Sequence, residues 1–308
     1  MTKTDENLTF DPHDDRPFVK DLLKEHAEKI ECVRQRILQS VDDKTPLWDP
    51  KRYDELWILR FLMSNKYKVK EASKAALKTM KFRHENKLNE LGDTRHLIKN
   101  YGVQRKEGDE KEEELLYYSV WNSVCGKNCI TISQPDPNRG IMVYMDVGRI
   151  DIDRLMDIMT KEEMKEYRMH ATEASYQVLD EVTRRIGRLT KITQILDESN
   201  VSLLKVNRKA IKQDADISKE FEDYYPQALS SIYIFNAPSW VNALWAVLRP
   251  IFPKRLAEKI DFVPAAQTLY KPLLRHVSEA NLPERFGGKN KKWPLPSVSE
   301  TLAASKAL

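Results

Sequence analysis

The stretch Tyr224–Pro253, "YYPQALSSIYIFNAPSWVNALWAVLRPIFP", carries no charge between Asp223 and Arg249, in a chain whose residues are 32% Asp, Glu, Lys or Arg. A charge-free run of that length can cross a bilayer as one helix. This one is broken by Pro226 and Pro238, each of which bars the residue before it from regular helix, and Ser230, Ser231 and Asn236 would bring polar groups into hydrocarbon. The run therefore divides. "SIYIFN" (231–236) reads as a strand buried on both sides, with Ile232 and Ile234 on one face and Tyr233 and Phe235 on the other. Ser239 then stands as an N-cap for a helix with Trp240, Leu244, Val247 and Leu248 on one side and Val241 and Trp245 on another. A helix apolar nearly all round must be covered, either by protein on every side or by an apolar cavity or membrane on one. Arg249, Lys254, Arg255 and Lys259 follow it, and Lys289, Lys291, Lys292 and Trp293 end the fold. Such basic residues suit an anionic membrane surface or a solvated face.

Outward from this stretch the pattern alternates. "GIMVYMDVG" (140–148) and "KITQILD" (191–197) read as further buried strands. Between them Met164, Tyr167, Ala171, Ala174, Val178, Val182 and Ile186 form one helical stripe, started by Thr160 and stopped by Gly187. "SLLKVNRKAIKQDADISKEFEDYY" (202–225) supplies the next helix. Strands alternating with helices predict an α/β fold with a mostly parallel sheet flanked by helices. From Phe18 to Met80 the spacing is helical instead, through Leu22, Leu23, His26 and Ile30, then Leu56, Leu59 and Leu62, then Ala72, Ala76 and Met80. The expected division is an N-terminal helical region over 1–105, a second domain over 106–290 opened by the charged run "KEGDEKEEE" (106–114), and a tail over 291–308.

With 308 residues, 41% of them apolar, the chain can bury a substantial core. Its acidic N-terminus has no apolar leader segment, and three cysteines give no disulfide framework, so a reducing, cytoplasmic setting is expected. A net charge of +4 spread over both signs gives no reason to expect a nucleic-acid partner. No G-x-G-x-x-G, G-x-x-x-x-G-K-[ST], G-x-S-x-G or H-E-x-x-H occurs, which argues against the common nucleotide, acyl-transfer and metalloprotease chemistries. "CGKNC" (Cys125, Cys129) lacks a second ligand pair for zinc. His170 with Glu173, one turn apart, and Asp197 at a strand end read as structural before catalytic, so neither a metal, a cofactor nor a catalytic residue is expected.

"LRFLMSNKYKVKEASKAALKTMKFR" (Leu59–Arg83) resembles the N-terminal helical module of the CRAL-TRIO lipid-binding proteins, and "VYMDVG", "ILDESNVS", "DYYPQALSSIYIFNAPSWVNALWAVLRPIF" and "NLPERFGG" follow in that family's order. The resemblance covers Tyr53 to Gly288 and points to the secretory phosphatidylinositol transfer (Sec-fourteen-like) branch. It implies a sheet-floored pocket for one lipid, closed by a gate helix that opens on a membrane. On it, Tyr233, Phe235, Trp240, Leu244, Trp245, Leu248, Ile251 and Phe252 belong to the pocket and gate, and Arg249, Lys254 and Arg255 face the membrane. Lys66 and Lys259 match headgroup-binding residues. Gln227 and Ala228 stand where the phosphatidylinositol binders have an acidic–basic pair, Leu256 replaces a threonine, Asn65 an arginine, and Ile192 and Gln194 the hydroxyl residues of the phosphatidylcholine site. The implied function is a non-enzymatic, monomeric, cytoplasmic carrier, transiently peripheral to membranes, whose partners are a membrane surface and a phospholipid, phosphatidylinositol first. The alternatives are a carrier of a sterol, tocopherol-like or retinoid-like molecule, an interaction module, and a hydrolase built around Asp197 and His170.

Overall fold

The computed structural model describes residues 14–41, 47–98, 116–126, 129–199, 201–203, 206–264 and 269–291. The N-terminal helical pattern resolves into α1 (Val19–Glu25), α2 (Ala27–Leu38), α3 (Glu55–Ser64) and α4 (Val69–Glu85). Their shared core is built from Ile30, Val33 and Ile37 of α2, Trp57, Ile58 and Phe61 of α3, and Ala72, Ala76 and Met80 of α4. Helix α3 starts where the Asp54 carboxylate accepts the Trp57 N–H at 3.0 Å, satisfying one of the helix's orphan donors. The charged run 106–114, expected to mark a boundary, lies outside the described residues, as do Lys292 and Trp293.

Among the described residues five strands form one sheet in sequence order: β1 (Ile130–Ser133), β2 (Met142–Asp146), β3 (Ile192–Asp197), β4 (Leu229–Phe235) and β5 (Ile260–Phe262). β1 runs antiparallel to β2, and the other neighbours pair in parallel, which is the mostly parallel α/β sheet expected. β1 and β5 are additions of four and three residues, too short for periodicity to reveal. Helix α5 (Tyr118–Cys125) precedes β1, α6 (Ile152–Ile158) and α7 (Lys161–Ile186) link β2 to β3, and α8 (Arg208–Tyr224) links β3 to β4. Helices α9 (Ser239–Leu248) and α10 (Lys254–Ala257) link β4 to β5. Thr160 and Glu163 form a reciprocal capping box at the start of α7, and Gly187 ends it with φ +70°, a left-handed turn that glycine adopts without strain. At α9 the cap differs from expectation. Pro238 is the N-cap, and Ser239 is already helical and makes no side-chain cap.

Because side chains alternate along β4, its two faces have different covers. Ile232 and Ile234 join Leu256 and are flanked by Leu196, Phe252, Ile260 and Phe262. Tyr233 and Phe235 join Met142, Tyr144 and Ile195 beneath Leu273, Leu274, Val277, Leu282 and Phe286, from the chain's last described segment. A third cluster, against α5, α6 and α7, holds Ile130, Ile132, Ile141 and Ile192 with Leu155, Tyr167, Ala174 and Val178.

The N-terminal helices are fastened to the sheet unit by buried charge. Arg83 of α4 donates from both Nη atoms to Glu173 of α7 at 2.8 Å, and Tyr225, at the end of α8, donates its hydroxyl to the same carboxylate at 3.0 Å. Burial opposes ionisation of Glu173, but the charge and bonds of Arg83, with those of Tyr225 and Gln177, hold the carboxyl below its ordinary range. Arg60 of α3, fully buried, reaches Thr183 of α7 at 3.3 Å and lies over the Tyr176 ring. Breaking a buried ion pair on one side strands the other charge, so Glu173→Ala is expected to lower the unfolding free energy by about 3–5 kcal/mol in denaturant titration. An exposed control, Lys78→Ala, is expected to stay within about 0.5 kcal/mol of the parent.

Candidate functional site

The apolar helix α9 sits over the Ile232–Ile234 face. Its Trp245 ring lies 5.4 Å from Phe252 and 6.3 Å from Phe262 of β5, centroid to centroid. Val241 and Leu248 are buried, and Trp240, Leu244 and Trp245 are half-buried. The outer side of the helix and the turn after it remain in solvent, with Val247 66% exposed and Ile251 47%. Exposed Arg249, Lys254 and Arg255 follow directly. Trp245, Phe252 and the helix thus gather on one face of the sheet with Leu196, Ile232, Ile234 and Phe262. Tyr233 and Phe235, expected beside them in the pocket, lie on the opposite face, because odd positions of β4 point away from α9. Tyr233 instead meets His276 at 3.0 Å, and Phe235 packs on Phe286.

The two expected headgroup lysines are near one corner of the sheet but are not equivalent. Lys66 follows α3 in a left-handed conformation (φ +53°) with an exposed side chain. Lys259, at the start of β5, is half-buried and pairs with Glu222 of α8 at 3.1 Å. Between them runs a short polar chain in which Gln227 donates to Ser64 at 3.1 Å and accepts from the Lys191 ammonium at 2.6 Å. Lys191 was not singled out from sequence. A lysine directly before a strand buried on both faces was the only signal for it.

At the carboxyl end of β3, Asp197 is fully engaged: its Oδ1 accepts from Ser199 N and Oγ and from Asn236 Nδ2, and its Oδ2 meets the Arg285 guanidinium. Arg285 comes from the closing "LPERFGG", where a Cβ on Gly288 would sit 1.9 Å from the Leu282 carbonyl oxygen. His170 Nδ1 accepts from the Leu116 N–H, and Glu173 is committed to Arg83. Cys125 and Cys129 are buried free thiols, and their mutual hydrogen bond brings Cys125 down to about 7. Among the described residues no group of three or more His, Cys, Asp or Glu is placed to hold a metal. Glu198, also missed, continues the β3 ladder by donating its N–H to Phe235 O at 2.9 Å. Its Oε2 is buried without a hydrogen-bond partner, and burial pushes the carboxyl up to about 7.

The chain matches the CRAL/TRIO domain over residues 126–288. A CRAL-TRIO domain-containing protein of Saccharomyces cerevisiae is 26% identical over 249 residues, 77% of this chain and 72% of that one. The Sec14 cytosolic factor of Schizosaccharomyces pombe is 24% identical over 85% of both chains. A phosphatidylinositol/phosphatidylcholine transfer protein of Arabidopsis thaliana, SFH9, is 24% identical over 89% of this chain and 43% of its own. Among solved structures, Sfh5 superposes with a TM-score of 0.56 at 12% identity, over 94% of this chain and 96% of that one, and so shares the fold. With more than half its length inside the domain, the chain belongs to the CRAL/TRIO family.

Proposed function

We propose that this protein is a lipid carrier that holds one phospholipid over the Ile232–Ile234 face, beneath α9, and exchanges it at membrane surfaces. The observation that carries the reading is the two-sided character of α9 and its following turn. Inward, Trp245 and Phe252 meet an apolar strand face. Outward, Val247 and Ile251 stay in water beside Arg249, Lys254 and Arg255. Apolar side chains left in solvent next to cations suit an anionic bilayer, at roughly 1 kcal/mol for each Lys or Arg near its surface. Among the described residues no helix is long and apolar enough to cross a membrane, so contact at the surface is the mode proposed, with the protein monomeric and cytoplasmic between contacts. Lys66 and Lys259 are the proposed phosphate contacts for phosphatidylinositol, Lys259 exchanging its Glu222 partner for the headgroup. The engagement of Asp197, His170 and Glu173 in structural bonds supports a carrier over a hydrolase.

One observation favours a second reading. Glu198 follows the floor residue Leu196 by two positions, and its buried oxygen lacks a donor. That suits an apolar ligand bearing a single hydroxyl, such as a sterol or tocopherol-like alcohol, better than a phosphodiester. Native mass spectrometry of protein purified from its host separates the two, since a retained phospholipid supports the first and an apolar alcohol the second.

Two results are expected. Val247→Asp with Ile251→Asp changes exposed positions, so stability should move by less than about 0.5 kcal/mol for each while binding to anionic vesicles falls severalfold. Equal vesicle binding by parent and variant would remove the outward face from the account. For Glu198, a folded pKa near 7 lies above the unfolded value, so the parent loses stability as pH rises from about 4.5 to 7. Glu198→Gln lacks that loss. The variant should match the parent near pH 4 and exceed it by about 3 kcal/mol at pH 8 in urea titrations.

A further inference from the structure

Six lysines and a single carboxylate occupy positions 66–81, "KYKVKEASKAALKTMK". All six lysine side chains are exposed. Lys66 and Lys68 lie in the turn before α4, and Lys70, Lys74, Lys78 and Lys81 recur along α4 at the three- and four-residue spacing that puts them on one side of the helix. From Lys70 to Lys81 that stripe runs roughly 16 Å, at about 1.5 Å per residue. The opposite side of α4, through Ala72, Ala76, Thr79, Met80 and Arg83, is buried.

Little in the protein balances this charge. Other helices pair surface charges along their own length, Arg34 with Glu31 on α2, and Arg184 with Asp180 and Arg185 with Glu181 on α7. On α4, Lys78 pairs with Asp223 of α8 at 3.3 Å, and its ammonium also lies over the Tyr224 ring at 4.9 Å. Among the described residues no carboxylate lies within ion-pair distance of Lys70, Lys74 or Lys81, Glu71 and Glu85 of α4 itself included. Like charges four residues apart repel, so the stripe detracts from the stability of its own helix. A partner of negative charge relieves that repulsion.

We propose that the lysine stripe of α4 is a membrane-docking surface, separate from the outer face of α9, which meets an anionic bilayer and brings the headgroup corner to it. The choice of a bilayer rests on the carrier reading and on three observations. Lysine is a hydrated point charge on a flexible stem, suited to a diffuse anionic surface rather than to a matched carboxylate. Interfaces between proteins are poor in Lys and rich in Arg and aromatic groups, whereas the stripe presents no Arg and no exposed large apolar side chain. Its first lysine also adjoins the headgroup corner: Ser64, two residues before Lys66, accepts from the Gln227 amide at 3.1 Å, and Gln227 holds Lys191.

The test is flotation of the whole protein with vesicles of phosphatidylcholine alone or with about 20% phosphatidylserine, at about 0.1 M salt, where exposed charges act over roughly 10 Å. Each lysine at such a surface contributes about fivefold to binding. Lys70→Gln combined with Lys74→Gln and Lys81→Gln is therefore expected to weaken binding to the anionic vesicles roughly tenfold to hundredfold, with the unfolding midpoint and the response to phosphatidylcholine alone unchanged. Glu71→Gln, which removes a carboxylate beside the stripe, should tighten binding about two- to fivefold, a direction that loss of structure would not give. These two results together support the docking surface. Equal flotation by parent and triple variant overturns it. So does a loss seen only when duplex DNA or polyglutamate replaces the vesicles, since the stripe would then serve a different anion. Native mass spectrometry of the parent and triple variant is read in parallel. A lipid retained by both, with flotation unchanged, overturns the stripe and leaves the carrier reading standing, whereas stripe-dependent flotation by a protein that retains no lipid does the reverse.

Discussion

The buried pair of Arg83 and Glu173 is the contact on which the arrangement of this molecule depends. It joins α4, which belongs to the N-terminal helices, to α7, which covers the sheet, and it takes in the Tyr225 hydroxyl immediately before Pro226 and the start of β4. One carboxylate thereby sets the position of three elements. Removing such a pair costs far more than the pair contributes over an apolar substitute, so its value lies in specifying where the helices dock. Stacking of Phe82 on Tyr224, centroids 3.8 Å apart, extends the same junction along α4 and α8.

Held in this way, β4 presents two chemically different environments. Its C-terminal-segment face is sealed by Leu273, Leu282 and Phe286, and the seal is locked by Arg285 on Asp197. Its other face is roofed by α9 and the turn through Phe252. An apolar helix that half-buries Trp245 and leaves Val247 in water is only partly compensated by its own protein, which is the physical basis of the bilayer-facing role proposed for it. Charged side chains bracket β3, with Asp197 and Glu198 at its carboxyl end and Lys191 before its amino end.

Much of this was legible in the residues. The charge-free run split at Pro238 gives β4 and α9, Thr160 and Gly187 bracket α7 as their capping chemistry requires, and the apolar spacing of α2, α3 and α4 reappears in their shared core through Ile30, Leu59, Leu62, Ala72, Ala76 and Met80, while Leu56 packs with Val19 and Leu189 instead. Alternation also separated Ile232 and Ile234 from Tyr233 and Phe235. It could not say which pair α9 would cover, because that depends on where residues 273–286, far along the chain, fold back. Lys191 and Glu198 escaped for a related reason. Each is an ordinary charged residue beside a strand until tertiary packing buries it without a counter-charge or donor, a circumstance no local pattern encodes. Lys66 and Lys259 carried a family signal, yet only the packed structure shows that one is exposed and the other already holds Glu222.

The central claim is that the lipid occupies the α9 face of the sheet and that the opposite face stays closed. Photo-crosslinking with a phospholipid carrying a diazirine in its acyl chain, followed by peptide mapping, reads this directly. The account predicts adducts on peptides containing Leu196, Ile234, Trp245 and Phe252. Adducts concentrated instead on the peptides of Leu273, Leu282 and Phe286 would place the acyl chain on the wrong side of β4 and contradict it.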